Sequence, residues 1–129
     1  MKRSKADAVF SEYIRLRDAN KDGICFCCTC GKPFFWKDGD CGHFIGRQHK
    51  GLRFNEVNCH AQCRSCNRFN EGRKDKFAEF IRKKYGENVL NHLYLAEKQV
   101  SKMTKFDESQ IYLYYKQQIE LLKKGGKIC

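Results

Sequence analysis

NCHAQCRSCN, residues 58–67, is the stretch on which the fold turns. Cys63 and Cys66 form a C-x-x-C pair, a spacing that lets two thiolates on one tight turn reach the same metal ion. Asn67 follows the second cysteine directly, and Asn58 and His60 precede the first. Such a knuckle is either a structural clip alone or a clip that supports chemistry.

Structural zinc takes four sulfur or nitrogen ligands in a tetrahedron, so a second pair is needed. Upstream, CFCCTC (residues 25–30) offers Cys25 with Cys28, or Cys27 with Cys30. Gly31 favours the second register, because a residue at that point of a knuckle needs the positive φ that glycine adopts freely. The expected ligands are Cys27, Cys30, Cys63 and Cys66, with Cys25/Cys28 kept as the alternative. Nine cysteines are an odd number, and MKRSKADAVF contains no apolar run of signal length. Both points argue against a secreted disulfide framework and for reduced thiols in the cytoplasm. Cys41, Cys59 and Cys129 then read as small apolar fillers or idle thiols. No stretch approaches the ~20 apolar residues of a membrane helix, so no membrane partner is expected.

The 26 Lys and Arg against 15 Asp and Glu give a formal charge of +11. Four thiolates on one zinc ion leave the chain strongly positive. A small, basic, reduced chain points to a polyanionic partner, DNA or RNA.

Apolar spacing at Ala6, Val9, Phe10, Tyr13 and Ile14 predicts a helix over 4–17, stopped by DANKDG. ICFCCTCGKPFF is β-prone, WKDGD is a tight turn, CGHFIGRQ reads as a strand, and KGLRFNEVN as a loop. From about Ser65 the pattern is helical. Phe69, Phe77, Phe80, Ile81 and Tyr85 form one stripe, Gly72 is a possible interruption, and Gly86 is the stop. Val89, Leu90, Leu93 and Tyr94 suggest a second helix. Asp107 is the expected N-cap of a third, with Ile111, Tyr115, Gln118, Ile119 and Leu122 on one side. This divides the chain into a zinc-containing part, 1–86, and a helical extension, 87–129. The extension either packs on the first part or dimerises.

The insert between the knuckles carries DCGHFIGR. A hairpin bearing His43, a loop bearing Asn58, and a helix starting at the second knuckle make the arrangement of an α+β, zinc-pinned ββα-metal core, a treble-clef HNH fold. In that arrangement the zinc is structural and a separate Mg²⁺ or Mn²⁺ does the chemistry. His43, with a near-neutral pKa, suits the base that takes a proton from water. Asn67 supplies a carbonyl oxygen and Asp40 a carboxylate for the hard cation. Asn58 reads better as a brace of the hairpin loop than as a ligand. His60 is either a supporting group or a second ligand. Arg47, Arg53, Arg64 and Arg68 are candidate phosphate clamps, and Arg73 and Lys74 begin a basic helix that can follow the DNA backbone. His49 and His92 read as surface residues.

CCTCGK, DCGHF, LRFNEVNCHAQCRSCN and the following NEG resemble the phage NinG/Rap recombination proteins over residues 10–85. The layout is also similar to that of the endonuclease VII resolvases. The resemblance implies a structure-specific endonuclease cutting branched DNA, such as a Holliday junction or D-loop. It also implies a host-cytoplasmic site of action and phage or host recombination proteins as partners. Many HNH nucleases carry an acid directly before the histidine. Here that residue is Gly42, and Asp40 lies three residues before His43. Two other readings share the composition: a non-catalytic zinc-pinned DNA-binding module, and an HNH nuclease acting on linear duplex.

Overall fold

The chain opens on a capped helix. In the computed structural model, which describes residues 3–126, the Ser4 hydroxyl accepts from the Asp7 amide at 3.1 Å. The Asp7 carboxylate accepts in turn from the Ser4 amide at 2.8 Å. This reciprocal box starts α1 (Lys5–Asp18), whose buried face carries Ala6, Phe10 and Ile14 at three- to four-residue spacing. Cys129 lies outside the described residues.

Two small antiparallel hairpins follow. β1 (Ile24–Phe26) pairs with β2 (Pro33–Phe35), and β3 (Asp40–His43) pairs with β4 (Cys59–Gln62). A single 3₁₀ turn at Trp36–Asp38 joins them, so Asp40 is already the first residue of β3 and not part of the turn. The predicted strand over CGHFIGRQ is shorter than expected and ends at His43. The loop predicted over KGLRFNEVN contains a one-turn helix, α2 (Lys50–Arg53).

The predicted helix after the second knuckle is broken. Ser65–Phe69 form a π-helical turn, and Glu71, Gly72 and Arg73 all take positive φ. Only then does α3 (Lys74–Tyr85) begin. The break removes Phe69 from the expected apolar stripe and leaves it 80% exposed, while Phe77 and Ile81 are buried. Gly86, at φ +99°, separates α3 from α4 (Glu87–Glu97). The last helix, α5 (Lys105–Lys124), is capped by Thr104 and not by Asp107, which sits three residues in and closes the box.

Besides the buried cysteine cluster, the core has three apolar parts. Phe44, Ile45 and Leu52 from the β3–β4 loop pack with Phe77, Ile81, Leu90 and Leu93 of α3 and α4. Leu16, Cys25, Trp36, Ala61 and Ile119 form the second part. Phe10, Ile14, Cys59 and Tyr115 form the third. The last two show α5 returning along α1, and Glu56 fixes that pairing. Its carboxylate accepts from Tyr13 and from Tyr115, each at 3.0 Å. The other side of α5 leaves Leu113, Tyr114 and Leu121 exposed. No helix of the described residues is long and apolar enough to cross a membrane. The architecture is α+β, with α1 packed against α5 on one side and both hairpins on the other, and α3 packed against α4.

Candidate functional site

The sulfur atoms of Cys27, Cys30, Cys63 and Cys66 all lie within 4.8 Å of one another. Cys30 and Cys63 are 3.8 Å apart. A tetrahedral ion with metal–sulfur bonds of about 2.3 Å separates its sulfurs by about 3.8 Å, so the spacing fits. Gly31 takes φ +79° after its knuckle and donates to the Cys27 carbonyl at 2.9 Å, the role the sequence assigns to it. Cys25 is buried elsewhere and donates to the Arg15 carbonyl at 3.2 Å. Cys28 packs against the α3–α4 core. The register is therefore Cys27 with Cys30.

Burial pushes the Cys63 thiol up to about 12. It pushes Cys27 up as well, but donors from the Cys63 backbone, Thr29 and the Cys30 backbone outweigh it and hold that thiol at about 6. Four thiols this close resist joint ionisation until a cation joins them. The cluster can hold a metal ion such as zinc, and it ties the β1–β2 hairpin to the end of β4.

A cavity of about 360 Å³ lies beside this clip, lined among others by Asp40, His43, Arg47, Asn67, Arg68 and Lys74. His43 closes β3. Its Nε2 meets the Arg53 carbonyl at 2.9 Å. A carbonyl only accepts, so Nε2 carries the hydrogen and Nδ1 keeps its lone pair. Burial lowers the His43 pKa to about 4, against the opposing pull of that carbonyl bond, so the imidazole is neutral near pH 7. The Asn67 amide donates to Asp40 at 3.0 Å, which leaves the Asn67 carbonyl oxygen for another partner. Both Asp40 oxygens also accept from Arg68, at 2.8 Å each. Burial pushes the Asp40 pKa up, but the Arg68 and Asn67 hydrogen bonds outweigh it and lower it overall. Asp40 thus fixes the orientation of Asn67. Lys74 adds an ammonium, hydrogen-bonded to the His43 carbonyl.

Gly42 has a steric cause. A Cβ there would lie 2.2 Å from the Gln62 side-chain oxygen. Gln62 is fully buried and donates to Thr29 at 3.1 Å and to the Gly72 carbonyl at 2.8 Å, linking the first knuckle to the break before α3. An acid directly before His43 has no room, and Asp40 stands one strand repeat earlier on the hairpin.

Five expected site residues, Asn58, His60, Arg53, Arg64 and Arg73, are not brought to the cavity, and the first three are buried. Asn58 is fully buried, accepting from Ile45 at 2.8 Å and donating to the carbonyls of Ile45 and Leu52 at 2.9 and 3.1 Å. That is a brace for the hairpin loop. His60 pairs with Gly42 across the hairpin and faces away from His43. Its ring contacts Arg17 at 3.0 Å and the Val57 carbonyl at 2.9 Å. Arg53 is 6% exposed and spans both Asp7 oxygens, with its Nε 2.9 Å from Oδ1. It is an internal ion pair and not a phosphate clamp.

Arg64 and Arg73 lie on the surface, Arg64 donating to the Lys37 carbonyl at 3.3 Å. His49 sits 3.7 Å from Glu97, and His92 is exposed. Sequence reasoning missed Asp7, which lines the cavity and meets Arg47 at 3.3 Å as well as Arg53. The Ser4-x-x-Asp7 spacing signals a helix start and gives no sign of that partner. It also treated Cys41 and Cys59 as fillers, whereas both converge on His43.

The fold and site define a small basic α+β protein with a cysteine cluster set against a polar, cation-lined cavity. A family model described as Bacteriophage Lambda NinG protein matches residues 3–125, and the chain belongs to the NinG family, a family of phage recombination-related proteins. No curated protein and no solved structure matches the chain.

Proposed function

We propose that the chain is a divalent-cation-dependent endonuclease that hydrolyses phosphodiester bonds in branched DNA during phage recombination. One observation carries this reading: His43, with Nε2 anchored and Nδ1 unprotonated, lines the same cavity as Asn67, whose carbonyl oxygen is turned free by Asp40. The β3–β4 hairpin and the helical turn after Cys66 supply the parts of a ββα-metal, treble-clef HNH core, and zinc on the four cysteines serves as its structural clip.

In this reading His43 takes a proton from the attacking water at Nδ1. Arg47, Arg68 and Lys74 draw the phosphate backbone into the cavity, contacts that hold register without reading sequence. Asn67 would hold Mg²⁺ or Mn²⁺ through its carbonyl, and Asp40 joins it only by releasing Arg68. Such a cation would supply charge neutralisation for the phosphate and the leaving oxygen. A non-catalytic DNA-binding module would share the charge and the cysteines. It has no use for a neutral, oriented imidazole beside an oriented amide. The proposed preference for branched over linear DNA rests on the family resemblance alone. Symmetric cutting of two strands calls for two sites, and the exposed Leu113, Tyr114 and Leu121 of α5 offer a face for a two-fold dimer.

The test is cleavage of a labelled four-way junction, a linear duplex and a single strand in Mg²⁺ or Mn²⁺. Junction-selective cutting supports the proposal. Equal cutting of all three keeps the hydrolysis and removes the branch preference. Binding without cutting leaves the DNA-binding module.

A further inference from the structure

Cys41 and Cys59 do not behave as the scattered fillers their positions in the sequence suggest. Across the β3–β4 hairpin His43 pairs with Cys59, and Cys41 stands two residues before His43 on the same side of β3. The sulfurs of Cys41 and Cys59 and a ring nitrogen of His43 all lie within 4.8 Å of one another. Cys59 is fully buried beside Phe10, Ile14 and Tyr115, while Cys41 and His43 line the cavity. The imidazole already has one nitrogen fixed on the Arg53 carbonyl, the support that metal-bound histidines use to hold their ring.

We propose that Cys41, Cys59 and His43 form a second metal site, separate from the four-cysteine cluster, for a thiophilic divalent cation such as Zn²⁺. Binding releases the two thiol protons. A divalent ion, two thiolates and a neutral imidazole then sum to zero charge, which suits a site walled by aromatic and aliphatic side chains. The fourth position faces the cavity, where water completes the shell. Soft sulfur ligands discriminate against Mg²⁺, so this site takes a different ion from the hard one assigned to Asn67. The two compete for His43. On the nuclease reading above, an ion here removes the imidazole from proton transfer, and excess zinc becomes a brake on cleavage.

The full chain, Cys41→Ser and His43→Ala are each saturated with Zn²⁺, freed of excess, and compared for bound zinc by elemental analysis. Cd²⁺ in place of Zn²⁺ reports thiolate ligation through its charge-transfer absorbance, and circular dichroism confirms that each variant is folded. The expected result is two equivalents of zinc in the wild type and one in each folded variant. The cadmium–thiolate absorbance of Cys41→Ser should also be lower than that of the wild type. One equivalent in the wild type, or two in Cys41→Ser, overturns the proposal. These readouts do not involve cleavage, so the metal site and the nuclease reading fail separately.

Discussion

Arg53 and Arg47 flank one carboxylate, that of Asp7, and burial separates their roles. Arg53 is enclosed with Asp7, whereas Arg47 reaches it from the cavity rim at 3.3 Å. Removing one partner of a buried pair strands the other, so Arg53→Ala should lower unfolding free energy by roughly 3–5 kcal/mol, read in urea titrations. Arg47→Ala should leave stability nearly unchanged and weaken DNA binding. The same pair sets an acid limit. Burial pushes the Asp7 pKa up, but the Arg53 and Ser4 hydrogen bonds outweigh it and hold it below the ordinary 3.8. Its contribution is therefore complete above that ordinary value and is lost as pH falls through the lower folded one. Asp7→Asn should flatten that acid limb.

At this scale the sequence was partly legible. Asp40, His43 and Asn67 could be read because their distances from the knuckles fix where the chain must put them. His60 could not be placed, because the register that faces it away from His43 is set by pairing with Gly42. Arg53 could not either, since its partner lies 46 positions away in α1.

Among the elements, the β3–β4 hairpin depends most on one side chain. Asn58 satisfies backbone groups of Ile45 and Leu52, which lie in the connecting loop and in α2. Asn58→Ala orphans buried polar groups at about 1–3 kcal/mol each. It should lower stability and speed amide exchange in residues 44–53, with Asn58→Asp a poor substitute because it loses the donor. The knuckle turn, the β-prone stretch of the first hairpin and the strand bearing His43 were legible from cysteine spacing and composition, whereas its partner strand Cys59–Gln62 was not read. The break before α3 was not, because apolar periodicity carries no sign that Glu71 and Arg73 adopt positive φ.

The cysteine cluster and the α1–α5 pairing close the whole molecule. The cluster is what fixes the β1–β2 hairpin to the turn carrying Asn67, so its metal is expected to govern folding and site geometry together. Removing zinc with a zinc-selective chelator should lower Tm and broaden the thermal transition. Restoring Mg²⁺ alone should recover neither Tm nor cleavage. A chain whose transition is unmoved by chelation would have no metal in the clip. The return of α5 onto α1 was the least legible feature. Tyr115 and Ile119 show an apolar face in the sequence, but nothing local distinguishes packing on α1 from packing on a second copy.

The most direct measurement is cleavage of a labelled four-way junction by wild type and His43→Ala in Mg²⁺ or Mn²⁺, with junction affinity and zinc content determined on the same samples. The expected result is a loss of at least about 100-fold in cleavage, the scale of a removed general base, with affinity and the zinc of the four-cysteine cluster retained. A folded His43→Ala protein that cuts the junction at a near wild-type rate would contradict the assignment of His43 and the cavity as the catalytic centre.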